Sequence, residues 1–235
     1  MLDTYRSPAA NNILAALPNA QLALMIPSMQ SVILTFGDVL YRSGDPILHV
    51  YFPINSLVSL LTQIEGHQAL EVGLVGHEGM LGIPLALGVK SSPVRVLVLG
   101  TGLAMRMEST VFLSAFKNNE AFKREVYRYT YELMVQMTQT AACNRFHRVE
   151  ERLARWLLMT RDRVMSNQFH LTQELLGEML GVRRAGVTKA AGALRQRKLI
   201  KYIRGDIHIL NGVGLESAAC QCYQIVKNMH EIARA

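Results

Sequence analysis

Arg183, Arg184, Thr188 and Lys189 lie in "GVRRAGVTKAAGALRQRKLI", residues 181 to 200, at the exposed beginning of a short helix whose other face is apolar. Cations and one hydroxyl in that place accept no proton at neutral pH and ligate no metal. Their chemistry is donation to anions. Arg or Lys at a helix tip can reach guanine O6 and N7 in a major groove, and arginine and threonine can hold phosphate oxygens.

Other residues with reactive chemistry do not converge in the sequence. Cys220-Gln221-Cys222 has a spacing that suits redox chemistry or, with a further ligand, a metal. On a helical tail, however, the two side chains would point apart, so buried or idle thiols are expected. His67, His77 and Glu78 lack the close His-x-His pairing of metal-binding jelly rolls and read as turn or surface residues. No metal, no resident cofactor and no catalytic set is expected, so an enzyme is disfavoured. A roll-fold metalloenzyme with a basic accessory domain is the rival in that class.

The elements that position the cations are legible from local signals. Thr172 can cap a helix starting at Gln173, with Glu174 in the first turn where a carboxylate suits the helix dipole. Leu175, Leu176, Met179 and Leu180 form its inner face, and Gly181 stands where the chain must turn sharply. Gly177 leaves room for a second helix to cross closely. That helix spans about 184 to 198 and buries Val187, Ala190, Ala191 and Leu194. "KLIKYIRGDIHIL" follows as two short β-runs around Arg204-Gly205-Asp206, which suggests a hairpin wing.

Upstream, the pattern is different. The runs Ile33–Phe36, His49–Phe52, Leu57–Thr62, Val94–Leu99 and Leu103–Met107 are punctuated by glycines at the short spacing of an antiparallel β-roll. Short helical pieces broken by Pro18 and Pro27 precede them. From about Asn118 the period becomes helical, and Gly and Pro are absent until Gly177. Phe122, Val126, Tyr129 and Leu133 form one stripe; Tyr127, Thr130, Met134, Met137 and Ala141 form a second. A helix with two apolar faces packs one on its own domain and offers the other to a second copy in a two-fold dimer. The apolar phase restarts at Val149, Leu153, Trp156 and Leu157, which places a hinge at 143 to 147.

The fold class expected is therefore α+β: an antiparallel, jelly-roll-like β-roll over 1–117, a dimerisation helix and hinge over 118–146, and a winged helix-turn-helix over 147–235. The charge divides along the same lines. Residues 1 to 110 carry a net −2, whereas residues 148 to 204 carry thirteen basic against five acidic side chains, within a chain of net charge +7. A polyanion is the partner such a segment suits. Three cysteines in 235 residues are too few for a disulfide scaffold and indicate a reducing compartment, the cytoplasm. No stretch approaches the roughly 20 apolar residues that cross a bilayer.

With these motifs in place, residues 10 to 210 resemble the Crp/Fnr family of bacterial transcription regulators. "GDVLYRSGDP" and "VYFPINSLVSLL" are similar to that family's cyclic-nucleotide-binding-like roll, and "LTQELLGEMLGVRRAGVTKAAGALRQRKLI" to its DNA-binding signature. The resemblance implies double-stranded DNA and a second copy as partners, RNA polymerase as a further partner, and a small-molecule effector. It implies that Arg184 reads a guanine and that Lys189 takes the place of a second reading arginine. Ala185 stands where a glutamate is common, so the half-site must differ. Thr172, Arg183, Thr188 and Arg204 are expected on phosphates.

The same resemblance implies an effector pocket around Gly82, Ile83, Pro93 and Arg95, with Met137 and Thr138 from the long helix. Cyclic-nucleotide binders of the family place a glutamate on the ribose and, further along, an Arg-Ser or Arg-Thr pair on the phosphate. Here the matching step is Gly82-Ile83-Pro84, and Pro93 stands ten residues after Ile83. Losing charge-assisted bonds worth about 1.5–3 kcal/mol each argues against cAMP or cGMP. The effector is unknown, with Arg95 as a substitute cation. Ligand-independent DNA binding and binding without sequence preference remain alternatives.

Overall fold

The computed structural model describes residues 8–63, 65 and 69–232, so His67 lies outside the described residues. The chain divides into two compact units: residues up to Leu60 together with Val75–Leu133, and Leu61–Leu74 together with the chain from Met134 onward.

The first unit begins with α1 (Asn12–Ala15) and α2 (Asn19–Met25), short because Pro18 and Pro27 interrupt them. Buried Asn11 holds the start. Its Oδ1 accepts from the Ile13 and Leu14 amides, while its Nδ2 donates to the Pro53 and Gly79 carbonyls at 2.9 and 2.8 Å. Seven strands follow along the chain, of which the end of β4 and all of β5 but Val75 are counted with the second unit: β1 (Gln30–Leu34), β2 (Val39–Tyr41), β3 (His49–Pro53), β4 (Leu57–Thr62), β5 (Leu70–Val75), β6 (Arg95–Gly100) and β7 (Gly102–Glu108). They form two sheets, ordered β1-β7-β3 and β2-β6-β4-β5. The β1–β7 and β3–β7 pairs are antiparallel and in uninterrupted register, whereas β2–β6 shifts register between Val39 and Tyr41. This is the expected roll, with β2 and β5 additional to the strands read from sequence.

Helix begins nine residues earlier than its period suggested. α3 (Ser109–Asn118) is followed by α4 (Glu120–Phe146), and Asn119 between them leaves the helical region, its side chain accepting from the Phe122 amide. α4 has 27 residues, about 40 Å at 1.5 Å per residue. In the first unit, Phe122, Val126, Tyr129 and Leu133 are all buried, and Phe122 meets Phe52 and Phe112 at ring separations of 6.1 and 5.8 Å. Along the second stripe, Tyr127 and Met134 are 46% and 60% exposed, Thr130 and Met137 are half-buried, and Ala141 is exposed.

The second unit contains α5 (Val149–Val164), β8 (Gln168–His170), α6 (Gln173–Leu180), α7 (Arg184–Gln196), β9 (Ile200–Ile203), β10 (Asp206–Ile209), α8 (Gly212–Ala218) and α9 (Cys222–Ile232). Leu153, Trp156 and Leu157 of α5 are buried as their spacing requires, with Trp156 Nε1 donating to Glu71 at 2.8 Å. The wing has three strands, β8-β10-β9, one more than expected. β8 is only three residues long, too short for alternation to reveal. No described helix is long and apolar enough to cross a membrane.

Candidate nucleic-acid interface

Helices α6 and α7 meet as the sequence pattern requires. Thr172 Oγ1 accepts from the Leu175 amide at 3.2 Å, capping α6, and keeps its own proton for another acceptor. Gly181 ends α6 at φ 59°, ψ 39°, the left-handed conformation that a side chain resists. A Cβ on Gly177 would come within 2.9 Å of the Val182 carbonyl oxygen, so the close turn depends on hydrogen there.

On α7, Val187, Ala190, Ala191 and Leu194 are buried. Arg183, Arg184, Ala185, Thr188 and Lys189 are exposed. One side of the helix is thus committed to the core and its N-terminal tip to solvent. Thr188 is less free than its exposure suggests, because its hydroxyl donates with Gln173 Oε1 at 2.8 Å and the Arg184 carbonyl at 3.0 Å as acceptors. A phosphate would have to draw that proton away. Arg204 is exposed at the wing tip, where it and Gly205 both have positive φ, 51° and 95°. With Ile203 paired to Asp206, this is a two-residue turn of the type that suits a twisted hairpin. His170 Nδ1 and Asp206 Oδ1, 2.8 Å apart, tie β8 to β10 beside it. Exposed Lys201 on β9 extends the basic surface; its place in "KLIKYIRGD" was the available signal.

Four of the thirteen cations of residues 148 to 204 are directed inward instead. Arg152 donates to Asn144 Oδ1 at 2.6 Å and to the Leu180 carbonyl, capping the end of α6. Arg155 donates to Thr140 Oγ1, Arg161 to Asp162 and Glu216, and Arg163 to the Met159 carbonyl. Net charge alone could not separate these from the surface cations.

The residues expected around an effector are dispersed in their environments. Gly82 has φ 101° and opens a 3-10 helix (Ile83–Leu87) whose Ile83 is buried. Pro93 is exposed in a bend before β6 begins at Arg95. Arg95 is half-buried. On α4, Met137 is half-buried and Thr138 exposed. His77 and Glu78 form a turn, the carboxylate accepting from the Gly76 amide.

The cysteines correct the sequence reading. Cys220 lies outside helix between α8 and α9, and Cys222 opens α9, so the two do not sit on one continuous helix. Both face Cys143 in one buried cluster. Cys143 Sγ is 3.5 Å from Cys220 Sγ, and Cys222 Sγ is 3.6 Å from His147 Nδ1. The hydrogen bond from Cys220 holds the Cys143 thiol down to about 5 against its burial, and the same bond pushes Cys220 up. Cys143 and His147 are one helical turn apart, a spacing visible in the sequence but read there only as a hinge.

Residues 151–218 match the Crp-like helix-turn-helix domain. Among solved structures, FixK2 from Bradyrhizobium japonicum is similar over 82% of this chain and 98% of its own, with a TM-score of 0.69 and 13% identity. A transcriptional regulator of the CRP family from Thermus thermophilus is similar over 80% and 96%, with 0.67 and 18%. The c-di-GMP-responsive global regulator CLP of Xanthomonas campestris is similar over 82% and 99%, with 0.67 and 14%. At these identities the likeness is one of fold. None of the curated proteins matches the sequence.

Proposed function

We propose that this chain, a Crp-like helix-turn-helix domain carried on the fold of Crp/Fnr regulators, is a dimeric, sequence-specific DNA-binding transcription regulator rather than an enzyme. The observation that carries this reading is the two-sided α7: an apolar face closed into the domain, and Arg183, Arg184, Thr188 and Lys189 exposed at its start. Arg184 and Lys189 read bases. Thr172, Arg183, Thr188 and the wing's Arg204 engage phosphates. The accessible stripe Tyr127, Thr130, Met134, Met137 and Ala141 pairs α4 with its copy, so that two reading helices address a near-palindrome with half-sites about 34–36 Å apart.

The roll (1–117) senses an effector, the helix and hinge (118–146) relay it, and the winged domain (147–235) binds DNA in the cytoplasm. The effector is a small molecule other than a cyclic nucleotide. Buried Ile83 offers no acceptor to a ribose, and Pro93 has neither a cation nor an N–H for a phosphate. RNA polymerase is the partner through which a bound dimer would activate.

Selection of bound duplexes from a random pool tests the reading. Inverted half-sites are expected, and recovery of unordered sequences overturns it. Arg184→Ala should weaken binding by about 1–3 kcal/mol and relax one position in each half-site. Uniform weakening over all sequences would make Arg184 a phosphate anchor instead.

A further inference from the structure

The cluster at the end of α4 has more ligand chemistry than a hinge needs. The Sγ atoms of Cys143, Cys220 and Cys222 and a ring nitrogen of His147 all lie within 4.8 Å of one another. A tetrahedral zinc centre with Zn–S near 2.3 Å and Zn–N near 2.0–2.1 Å requires S···S edges of about 3.8 Å and S···N edges of about 3.6 Å. The observed 3.5 Å between Cys143 and Cys220 sulfurs and 3.6 Å between Cys222 sulfur and His147 Nδ1 already approach those edges. We propose that Cys143, His147, Cys220 and Cys222 form a Cys3His site for a tetrahedral, thiophilic divalent ion of the zinc class.

The surroundings fit that assignment independently of the ligands. Three thiolates, a neutral imidazole and a divalent ion sum to one negative charge, which must be balanced in a buried place. Arg155 and Arg152 supply the balance: both interact electrostatically with Cys143, Arg155 also with Cys222 and Arg152 also with Cys220. Arg155 Nε, moreover, is buried without a hydrogen-bond acceptor among the described residues. A metal thiolate beside it would be an outer-shell acceptor of the kind such sites keep. When the ion binds, three S–metal bonds and one N–metal bond form, and the protons still held by the thiols pass to water.

The bound ion would join two separate pieces of the second unit: the end of α4 with the residue that follows it, and the junction between α8 and α9. Among the described residues this is the place where a metal could hold the hinge to the domain's C-terminal helices.

The test uses the full chain, reduced and stripped with a chelator, and titrated with Co(II) and then Zn(II), without DNA. Saturation at one ion per chain is expected, with thiolate-to-cobalt charge-transfer absorption, the intense visible bands of a tetrahedral ion, and bleaching by Zn(II). Cys220→Ser and Cys222→Ser, each checked for native circular dichroism, should weaken Zn(II) by more than the about 10–100-fold that loss of a supporting outer-shell partner causes. Zn(II) should also slow amide exchange at 143 to 147 and 219 to 222. Octahedral Co(II) spectra, substoichiometric binding, or wild-type affinity in both variants overturns the proposal. So does a reduced chain that takes no ion yet closes a Cys143–Cys220 disulfide with oxidant, which would make the cluster a redox pair.

Discussion

Arg152 and Arg155 each carry a full positive charge in the basic segment, yet both are buried and act on their own chain. Arg152→Met would leave the Leu180 carbonyl without its guanidinium donor. Unfolding should become easier by about 1–3 kcal/mol, measured by denaturant titration, and the salt dependence of DNA binding should not change. Arg183→Ala and Arg204→Ala should do the reverse, keeping stability while lowering the slope of log K against log salt by about 1 for each half-site. Tyr202 provides a pH signature. Its hydroxyl donates to the Leu171 carbonyl at 2.7 Å, and burial pushes its pKa from 10.0 up to about 12, partly opposed by Arg184. A raised phenol pKa stabilises the fold fully below 10.0 and loses that contribution as pH climbs through about 12. Denaturation followed over that window should therefore show a fall in stability that Tyr202→Phe removes.

At the scale of the element, two glycines of the reading motif have opposite expectations. Gly181 sits at φ 59°, and an added Cβ would meet Leu70 Cδ1 at 2.6 Å. Gly181→Ala should cost about 1–2 kcal/mol from backbone conformation alone. Gly192 lies inside α7 with open space around it and no positive φ. Gly192→Ala should stabilise the domain by about 0.5–1 kcal/mol. Thermal melts of the two variants test both signs, and a shared sign would mean that the motif's geometry is wrong. Thr172, Gly181 and the α7 stripe were legible because caps, left-handed turns and helical periodicity are local physics. β8 and the early start of α3 were not, since three residues carry no alternation and the break at Asn119 depends on its cap.

For the whole molecule, the exposed second stripe of α4 is where association should be visible. Met134→Glu with Met137→Glu places two charges on that face and should leave a monomer by solution mass. Such a monomer should retain weak binding to single half-sites but lose preference for inverted pairs. An unchanged dimer would move the interface elsewhere.

By itself the sequence determined the order of roll, long helix and winged helix-turn-helix, and the exposed cations of α7. Those features depend on neighbours a few residues apart, and short-range spacing is what a linear chain records. Only the tertiary structure decided which arginines face inward and that Cys143 and His147 meet Cys220 and Cys222. The inward arginines and the thiol cluster depend on segments separated by many residues closing onto one another, and that closure is set by packing and burial rather than by periodicity.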